Sequence, residues 1–295
     1  MTEAIGFIGL GSMGGAIARK LLERGTPLHV FDIDAEISAK FRHLGAHVHA
    51  SPREVADQAV LVFSCLPTVS ACRQVALGSE GIAHGTQVKI YAECSTIGHA
   101  VCDIADGLAE RGIATLDCPV SGGVKAVRMD TLSVMAAGAD PVYAQAVPYL
   151  ERFGKKVFRV GRQPGQAQTM KLVNNLVSAA NMAAAFEAVV FGAKAGLDPQ
   201  VMVDVLNASS GRNSATQDKL PDAVLSGTYD FGAKVEVIYK DVCLGIDEAQ
   251  QIGVPLWVGS HIGQVWRYAM SQGGAQDDFT TLIKHMQKLA GCDVF

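Results

Sequence analysis

No run of lysine or arginine occurs in these 295 residues, and the net charge is -4. Nothing here would grip a nucleic-acid backbone or an anionic membrane surface, so neither is expected as a partner. No C-x-x-C occurs. The seven cysteines (Cys65, Cys72, Cys94, Cys102, Cys118, Cys243 and Cys292) are odd in number. That argues against a disulfide framework and for reduced thiols in a cytoplasm. Cys65, Cys94 and Cys118 lie in apolar stretches or at their ends and read as buried structural thiols. The eight histidines are scattered without metal-ligand spacing, and no metal is expected. A basic region is absent ahead of Ile5-Gly6-Phe7-Ile8, and glycines break that stretch, so it does not read as a signal peptide. Ala179 to Ala195 is alanine-rich but holds Asn181, Glu187 and Lys194, which marks a buried helix rather than a membrane span. Aromatics are scarce at 6%, yet 49% of residues are hydrophobic, enough for a sizeable globular core.

Short apolar runs alternate with helical patterns through the first half. Ile5–Gly9, Leu28–Asp32, Val60–Cys65, Val88–Glu93, Thr115–Cys118 and Leu132–Ala136 read as strands, and Lys156–Val160 as a further edge strand. A helical pattern over Gly14–Arg24 separates the first two. This alternation implies a parallel sheet covered on both faces. After Gly165 the pattern becomes helical: Lys171–Ala195, Pro199–Asn207, Val235–Ile252, Pro255–Gln272 and Asp278–Leu289. Asp198-Pro199 reads as an N-cap followed by proline at the first helical position, and Asp277-Asp278 as the cap of the last helix. The fold class expected is α/β: an N-terminal Rossmann-type domain over 1–163 and an all-helical domain over 164–295. The long apolar helix exceeds what a monomer should expose, and a homodimer or homotetramer is expected.

Gly9-Leu10-Gly11-Ser12-Met13-Gly14 matches G-x-G-x-x-G in its required context, with a strand before it and a helix after it. Gly9 permits a tight turn, Gly11 a close backbone approach to a pyrophosphate, and Gly14 close packing of helix on strand. The helix N-terminus then faces the phosphates. Asp32 ends the next strand, about 20 residues on, where a carboxylate accepts hydrogen bonds from ribose hydroxyls and repels a 2′-phosphate. No arginine follows in Phe31-Asp32-Ile33-Asp34, so NAD is expected over NADP.

Two further segments stand out. Asp117-Cys118-Pro119-Val120-Ser121-Gly122-Gly123 follows a strand and can offer a hydroxyl and successive N–H groups to an anion. Lys171-Leu172-Val173-Asn174-Asn175 opens the long helix, with Lys171 and Asn175 on one face. With Gly9–Gly14, the Gly165–Asn175 segment and Lys240-Asp241, these motifs stand in the order and at the spacing of a known family. Over nearly its whole length the chain resembles the β-hydroxyacid dehydrogenases, of the 3-hydroxyisobutyrate dehydrogenase and tartronate semialdehyde reductase type.

That resemblance implies an NAD-dependent oxidoreductase that interconverts a small 3-hydroxy acid and its semialdehyde. Lys171 would be the general acid and base, a role that suits a lysine whose pKa desolvation lowers. Ser121, Gly122 and Gly123 would hold the substrate carboxylate, Asn175 and its neighbour Asn174 would bond the substrate, and Lys240 would sit near nicotinamide and substrate. Leu66 and Pro67 would line the adenosine side, and Thr96 in Ser95-Thr96 the nicotinamide end. Ala167, Asp130 and Gly98-His99 depart from the family's usual glycine, glycine and Ser-Pro. Lys125, Arg128 and Arg212 read as surface charges, with contact between one of them and a second anionic group on the substrate as the alternative. The alternatives are a dehydrogenase of 2-hydroxy (threonate-like) or sulfonated hydroxy acids in the same family, and a non-catalytic NAD-binding module on the same fold. A 6-phosphogluconate-type decarboxylating enzyme needs a larger helical domain than this chain has, and imine reductases generally lack the lysine.

Overall fold

Glycine loops, buried apolar strands and capped helices follow one another in a computed structural model that describes residues 3–293. The chain divides into two compact units, Met1–Lys171 and Leu172–Phe295.

Among its described residues the first unit holds nine strands, β1 (Ile5–Ile8), β2 (Leu28–Phe31), β3 (His47–Val48), β4 (Leu61–Ser64), β5 (Ile90–Glu93), β6 (Ala114–Asp117), β7 (Val120–Ser121), β8 (Ser133–Ala137) and β9 (Lys156–Gly161). Its helices are α1 (Ser12–Glu23), α2 (Ala35–His43), α3 (Pro52–Ala56), α4 (Val69–Leu77), α5 (Ala100–Ala109), α6 (Gly123–Arg128) and α7 (Asp140–Phe153), and it includes the start of α8 (Gln166–Lys194). The strands form one sheet in the order β3-β2-β1-β4-β5-β6-β8-β7, with β9 beside β8. From β3 to β6 every pairing is parallel. Neighbouring side chains point to opposite faces, so Phe7, Phe63 and Ala92 enter one core while Ile8, Val62 and Tyr91 enter the other. Both faces are therefore covered, as the unbroken apolar runs require. The chain reverses direction across the sheet between β1 and β4, and such a switch point opens a crevice at the strands' carboxyl ends.

The parallel sheet expected from the sequence runs from β3 to β6, and one edge adds antiparallel pairings. Strand β8 runs antiparallel to β6 and β7, and β9 pairs parallel to β8. Two strands, β3 and β7, are only two residues long, too short to leave a periodic trace. Asp130 has φ +54. A left-handed conformation at a residue other than glycine is uncommon but best tolerated by Asp and Asn. Here Arg24 (2.7 Å) and Lys20 (3.3 Å) hold its carboxylate. Cys94 and Cys118 are buried with their sulfurs 3.6 Å apart, whereas Cys65 is only partly buried.

The second unit carries the rest of α8, then α9 (Pro199–Ala208), α10 (Val235–Gln251), α11 (Trp257–Ser271) and α12 (Leu282–Ala290). Asp198 caps α9 by accepting from the Val201 N–H (2.9 Å), with Pro199 in the first turn. Asp278 caps a short 3₁₀ turn, Phe279–Thr281, that leads into α12. A π-wound helix, Ala215–Leu225, occupies a stretch the sequence left unassigned; Pro221 lies inside it. Length and composition alone would let α8 cross a membrane. Ala179, Met182, Ala183, Phe186, Val189 and Val190 along it are instead buried in the core of this unit, against Val203, Val242 and Trp266.

Candidate active site

At the end of β1 the chain turns at Gly9 with φ +87, and a Cβ there would stand 2.4 Å from the Cys65 carbonyl oxygen. A Cβ on Gly14 would lie 2.0 Å from the Gly9 oxygen. Around Gly11 no atom lies within 4 Å of that position. The three glycines thus divide into a turn, an open approach and a close packing. Gly11 is the N-cap of α1 and brings no side chain to its first N–H groups, which are left for an anion.

Asp32 directly follows β2. Its Oδ2 accepts the Leu10 N–H at 2.5 Å and its Oδ1 the Asp34 N–H at 2.8 Å, so the carboxylate also ties down the glycine loop. Each oxygen keeps a lone pair, which fits a pair of ribose hydroxyls. Ser12 and Gly11 are exposed beside it, Met13 is half-buried, and Leu10 packs inside. Loop, helix end and carboxylate together fit a dinucleotide. Replacing Asp32 with Ala is expected to weaken NAD binding by about 10- to 100-fold, the value of a hydrogen bond to a charged group. NADP should lose less, because repulsion of a 2′-phosphate is lifted. Titration with each cofactor reads this, and equal losses for both would reduce Asp32 to a loop anchor.

The loops after β4 and β5 are joined. Leu66 donates its N–H to Ser95 Oγ at 2.7 Å, beside half-buried Thr96; Pro67 is exposed. Beneath them lies Glu93, wholly buried. Its Oε1 accepts from the Ser95 N–H (2.8 Å) and its Oε2 from the Tyr91 hydroxyl (2.5 Å), which also meets Ser64 Oγ at 2.7 Å. Burial, with Glu93 alongside, holds the Tyr91 phenol well above its ordinary pKa.

Asp117 ends β6 two residues before the turn that leads to Ser121. Its Oδ2 accepts from the N–H groups of Gly165 (3.0 Å) and Gln168 (2.9 Å), its Oδ1 from Gln168 Nε2 (2.8 Å). Burial pushes this carboxyl up to about 6, against the pull of those three hydrogen bonds. Gln168 continues the chain of bonds: Nε2 also donates to the Ser95 carbonyl (2.9 Å), and Oε1 accepts from the N–H groups of Ile97 (2.9 Å) and Gly98 (3.1 Å). Lys171 is buried three residues later on α8. Beyond Asp117, Ser121 ends β7, and Gly122 (φ +127) and Gly123 (φ +69) both take backbone conformations that favour glycine. Lys125 and Arg128 on α6 are exposed, as is Arg212 in the second unit.

Within the second unit, Asn175 is buried and donates Nδ2 to Asp241 Oδ2 at 2.7 Å, while its Oδ1 accepts from Asn174 Nδ2 at 3.0 Å. One amide hydrogen and one lone pair of Asn175 stay available. The Lys240 ammonium lies 3.0 Å from Asp241 Oδ1, an ion pair without hydrogen-bond geometry. Sequence reasoning gave no role to Glu93, Asp117, Gln168 and Asp241, and chose Thr96 over its neighbour Ser95. Asp117, Gln168 and Asp241 stand inside the quoted motifs, and Glu93 is a single polar residue at the end of a buried strand.

Residues 4–161 match the family described as the NAD binding domain of 6-phosphogluconate dehydrogenase, and residues 165–286 that described as NAD-binding of NADP-dependent 3-hydroxyisobutyrate dehydrogenase. The chain is 31% identical to 2-(hydroxymethyl)glutarate dehydrogenase of Eubacterium barkeri over 98% of its own length and 97% of that protein's. It is 32% identical to the mitochondrial 3-hydroxyisobutyrate dehydrogenase of Mus musculus, covering 96% of this chain and 87% of that one. Among solved structures, 3-hydroxyisobutyrate dehydrogenase of Mycobacterium tuberculosis with L-serine superposes with a TM-score of 0.89 at 27% identity, covering 97% of this chain and all of the other. With a nucleotide loop of matching geometry and relatives aligned almost end to end, the chain belongs to the β-hydroxyacid dehydrogenase family and is a nicotinamide-dependent dehydrogenase.

Proposed function

We propose that this protein is an NAD-dependent oxidoreductase that interconverts a small 3-hydroxy acid and its semialdehyde, with Lys171 as general acid and base. The observation that carries this reading is the placement of a buried lysine three residues after Gln168, at the start of a helix that Asp117 binds from the end of β6. One strand end thereby leads both to the lysine and, through residues 119–123, to Ser121, Gly122 and Gly123.

Bound nicotinamide supplies the hydride acceptor in oxidation and the donor in reduction. Ser121 Oγ and the N–H groups of Gly122 and Gly123 hold the substrate carboxylate. Lys171 Nζ takes the hydroxyl proton as the alcohol is oxidised and returns it to the carbonyl oxygen in the reverse direction. Asn175 donates its remaining amide hydrogen to the substrate, its orientation set by Asp241 and Asn174. Lys240 adds positive charge beside substrate and nicotinamide. Leu66, Pro67 and Thr96 line the cofactor, and Asp32 selects NAD. Residues 1–163 are assigned to the nucleotide and 164–295 to substrate and subunit contacts.

The test is a panel of hydroxyisobutyrate, glycerate, threonate and sulfonated hydroxy acids with NAD and NADP, followed by nicotinamide absorbance. Turnover of a 3-hydroxy acid with NAD supports the reading. Turnover of threonate or a sulfonate alone reassigns the substrate class within the family. Tight NAD binding with no turnover of any acid overturns the enzymatic reading in favour of a binding module.

The second unit exposes Phe191 (77%) near the end of α8, Leu197 in the connection that follows, and Val201 and Val205 on α9. We assign that apolar face to a contact with another copy of the chain, giving a dimer or tetramer. Sedimentation at micromolar concentration should show the oligomer, and Phe191→Asp with Val205→Asp should shift it to monomer. A monomeric parent protein overturns the assignment.

A further inference from the structure

The Gln168 side chain has two amide hydrogens and two carbonyl lone pairs, and all four are used inside the first unit. The hydrogens go to the Ser95 carbonyl and Asp117 Oδ1; the lone pairs take the N–H groups of Ile97 and Gly98. The orientation of the amide is therefore settled, because a flipped group would set nitrogen against two N–H donors and oxygen against a carbonyl and a carboxylate. Gln168 is itself fully buried, and its own N–H is held by Asp117. Three segments meet on this one amide. They are the loop of Ser95 and Thr96 after β5, the strand end that opens the 119–123 turn, and the first turn of α8.

We propose that Gln168 is a positioning residue for the proton transfer: by clamping these three segments together it sets where Lys171 stands relative to the nicotinamide loop and the carboxylate-binding turn. The inference rests on the reading of Lys171 as acid and base. The physical argument is one of precision. Lys171 follows Gln168 by less than one helical turn, so a rotation or slide of the α8 start moves both together. A misplacement of about 1 Å at a reacting group costs on the order of a hundredfold in rate. Elsewhere such a start would be held by a single capping side chain. Here Asp117 takes the N–H groups of Gly165 and Gln168, and the Gln168 amide braces Asp117 in return.

Gln168→Glu keeps the shape and turns both donors into acceptors facing Asp117 and the Ser95 carbonyl. Gln168→Met removes all four bonds without adding charge. The double variant Asp117→Asn with Gln168→Glu restores one donor–acceptor match. The amide introduced at position 117 can donate to the carboxylate introduced at position 168, while its oxygen keeps the backbone N–H groups of residues 165 and 168. Each is compared with the parent protein and with Lys171→Ala. The readouts are kcat on the fastest hydroxy acid, the pH profile of kcat, NAD affinity, melting temperature, and amide hydrogen exchange over residues 95–98 and 165–171. The expected result is a fall in kcat of about a hundredfold for both single variants. NAD affinity should stay within about threefold, because the glycine loop and Asp32 carry most of it. The lysine limb of the pH profile should shift, exchange should quicken in both segments, and the double variant should recover about tenfold of the kcat lost in Gln168→Glu.

A kcat within about threefold of the parent in both single variants overturns the proposal. So does a loss that merely follows NAD affinity or melting temperature, which would make Gln168 a cofactor or folding residue. Failure of both single variants to fold counts the same way. If Lys171→Ala keeps its activity, the underlying assignment of the lysine fails instead, and hydrogen exchange still decides whether the clamp exists.

Discussion

Lys171→Ala is expected to lower kcat by about a thousandfold, within the 10²–10⁴ range that a positioned acid or base supplies, while NAD binds as before. The lysine is 8% exposed, on the first turns of a helix whose start is held by Asp117 and Gln168. Shortening the side chain leaves that support in place. Lys171→Arg should not restore the rate, because a guanidinium stays protonated and cannot accept the hydroxyl proton. Lys171→Met, similar in length but without a titratable group, should match the alanine variant. Steady-state kcat and an NAD titration on the three variants check this. Residual kcat within tenfold of the parent would move the proton route to another group. A joint loss of NAD affinity would make the lysine a cofactor ligand.

Much of the first unit was legible because its strands are short apolar runs whose neighbours are helices with recognisable ends. The glycine loop was legible for a stricter reason. Gly9 and Gly14 sit where a Cβ would strike backbone, and Gly11 where one would project into open space, so the motif records local geometry directly. The direction of β8 was not legible, because strand polarity is set by pairing partners far along the chain and leaves no mark on β8 itself. The π-wound helix over Ala215–Leu225 was hidden by Pro221, which reads as a breaker.

The same distinction separates the readable from the unreadable parts of the site. Ser121-Gly122-Gly123 and Lys171 stand in compact motifs. Gln168 looks like one polar residue in a helix, and its meaning comes from partners 51 to 73 residues away. Asp241 likewise orients Asn175, 66 residues distant. Hydrogen-bond networks that join several strand ends are distributed over the chain, and no local pattern announces them.

Gly14→Ala and Gly11→Ala should separate two properties that the glycine motif joins. At Gly14 the new methyl would stand 2.0 Å from the Gly9 carbonyl oxygen and 3.1 Å from the Gly9 carbonyl carbon and Cys65 Cβ. Those neighbours are backbone and a Cβ, which cannot swing aside, so α1 must move off the end of β1. Overpacking of this kind costs about 1–3 kcal/mol, offset only in part by alanine's preference for helix, about 1 kcal/mol over glycine. Moving α1 also pulls its first N–H groups away from the phosphates and strains the Leu10–Asp32 bond. Gly14→Ala should therefore lose stability and bind NAD about a hundredfold more weakly. At Gly11, with φ -61 and ψ -165, alanine meets no strain and no neighbouring atom. Its methyl would fill the space through which a pyrophosphate approaches, so NAD affinity should fall while the melting temperature holds. Thermal unfolding without ligand and NAD titration, run on both variants, give the comparison. A Gly11→Ala protein that binds NAD normally would place the pyrophosphate elsewhere than on this loop, whereas a Gly14→Ala protein of unchanged stability would mean that α1 is free to shift on the sheet.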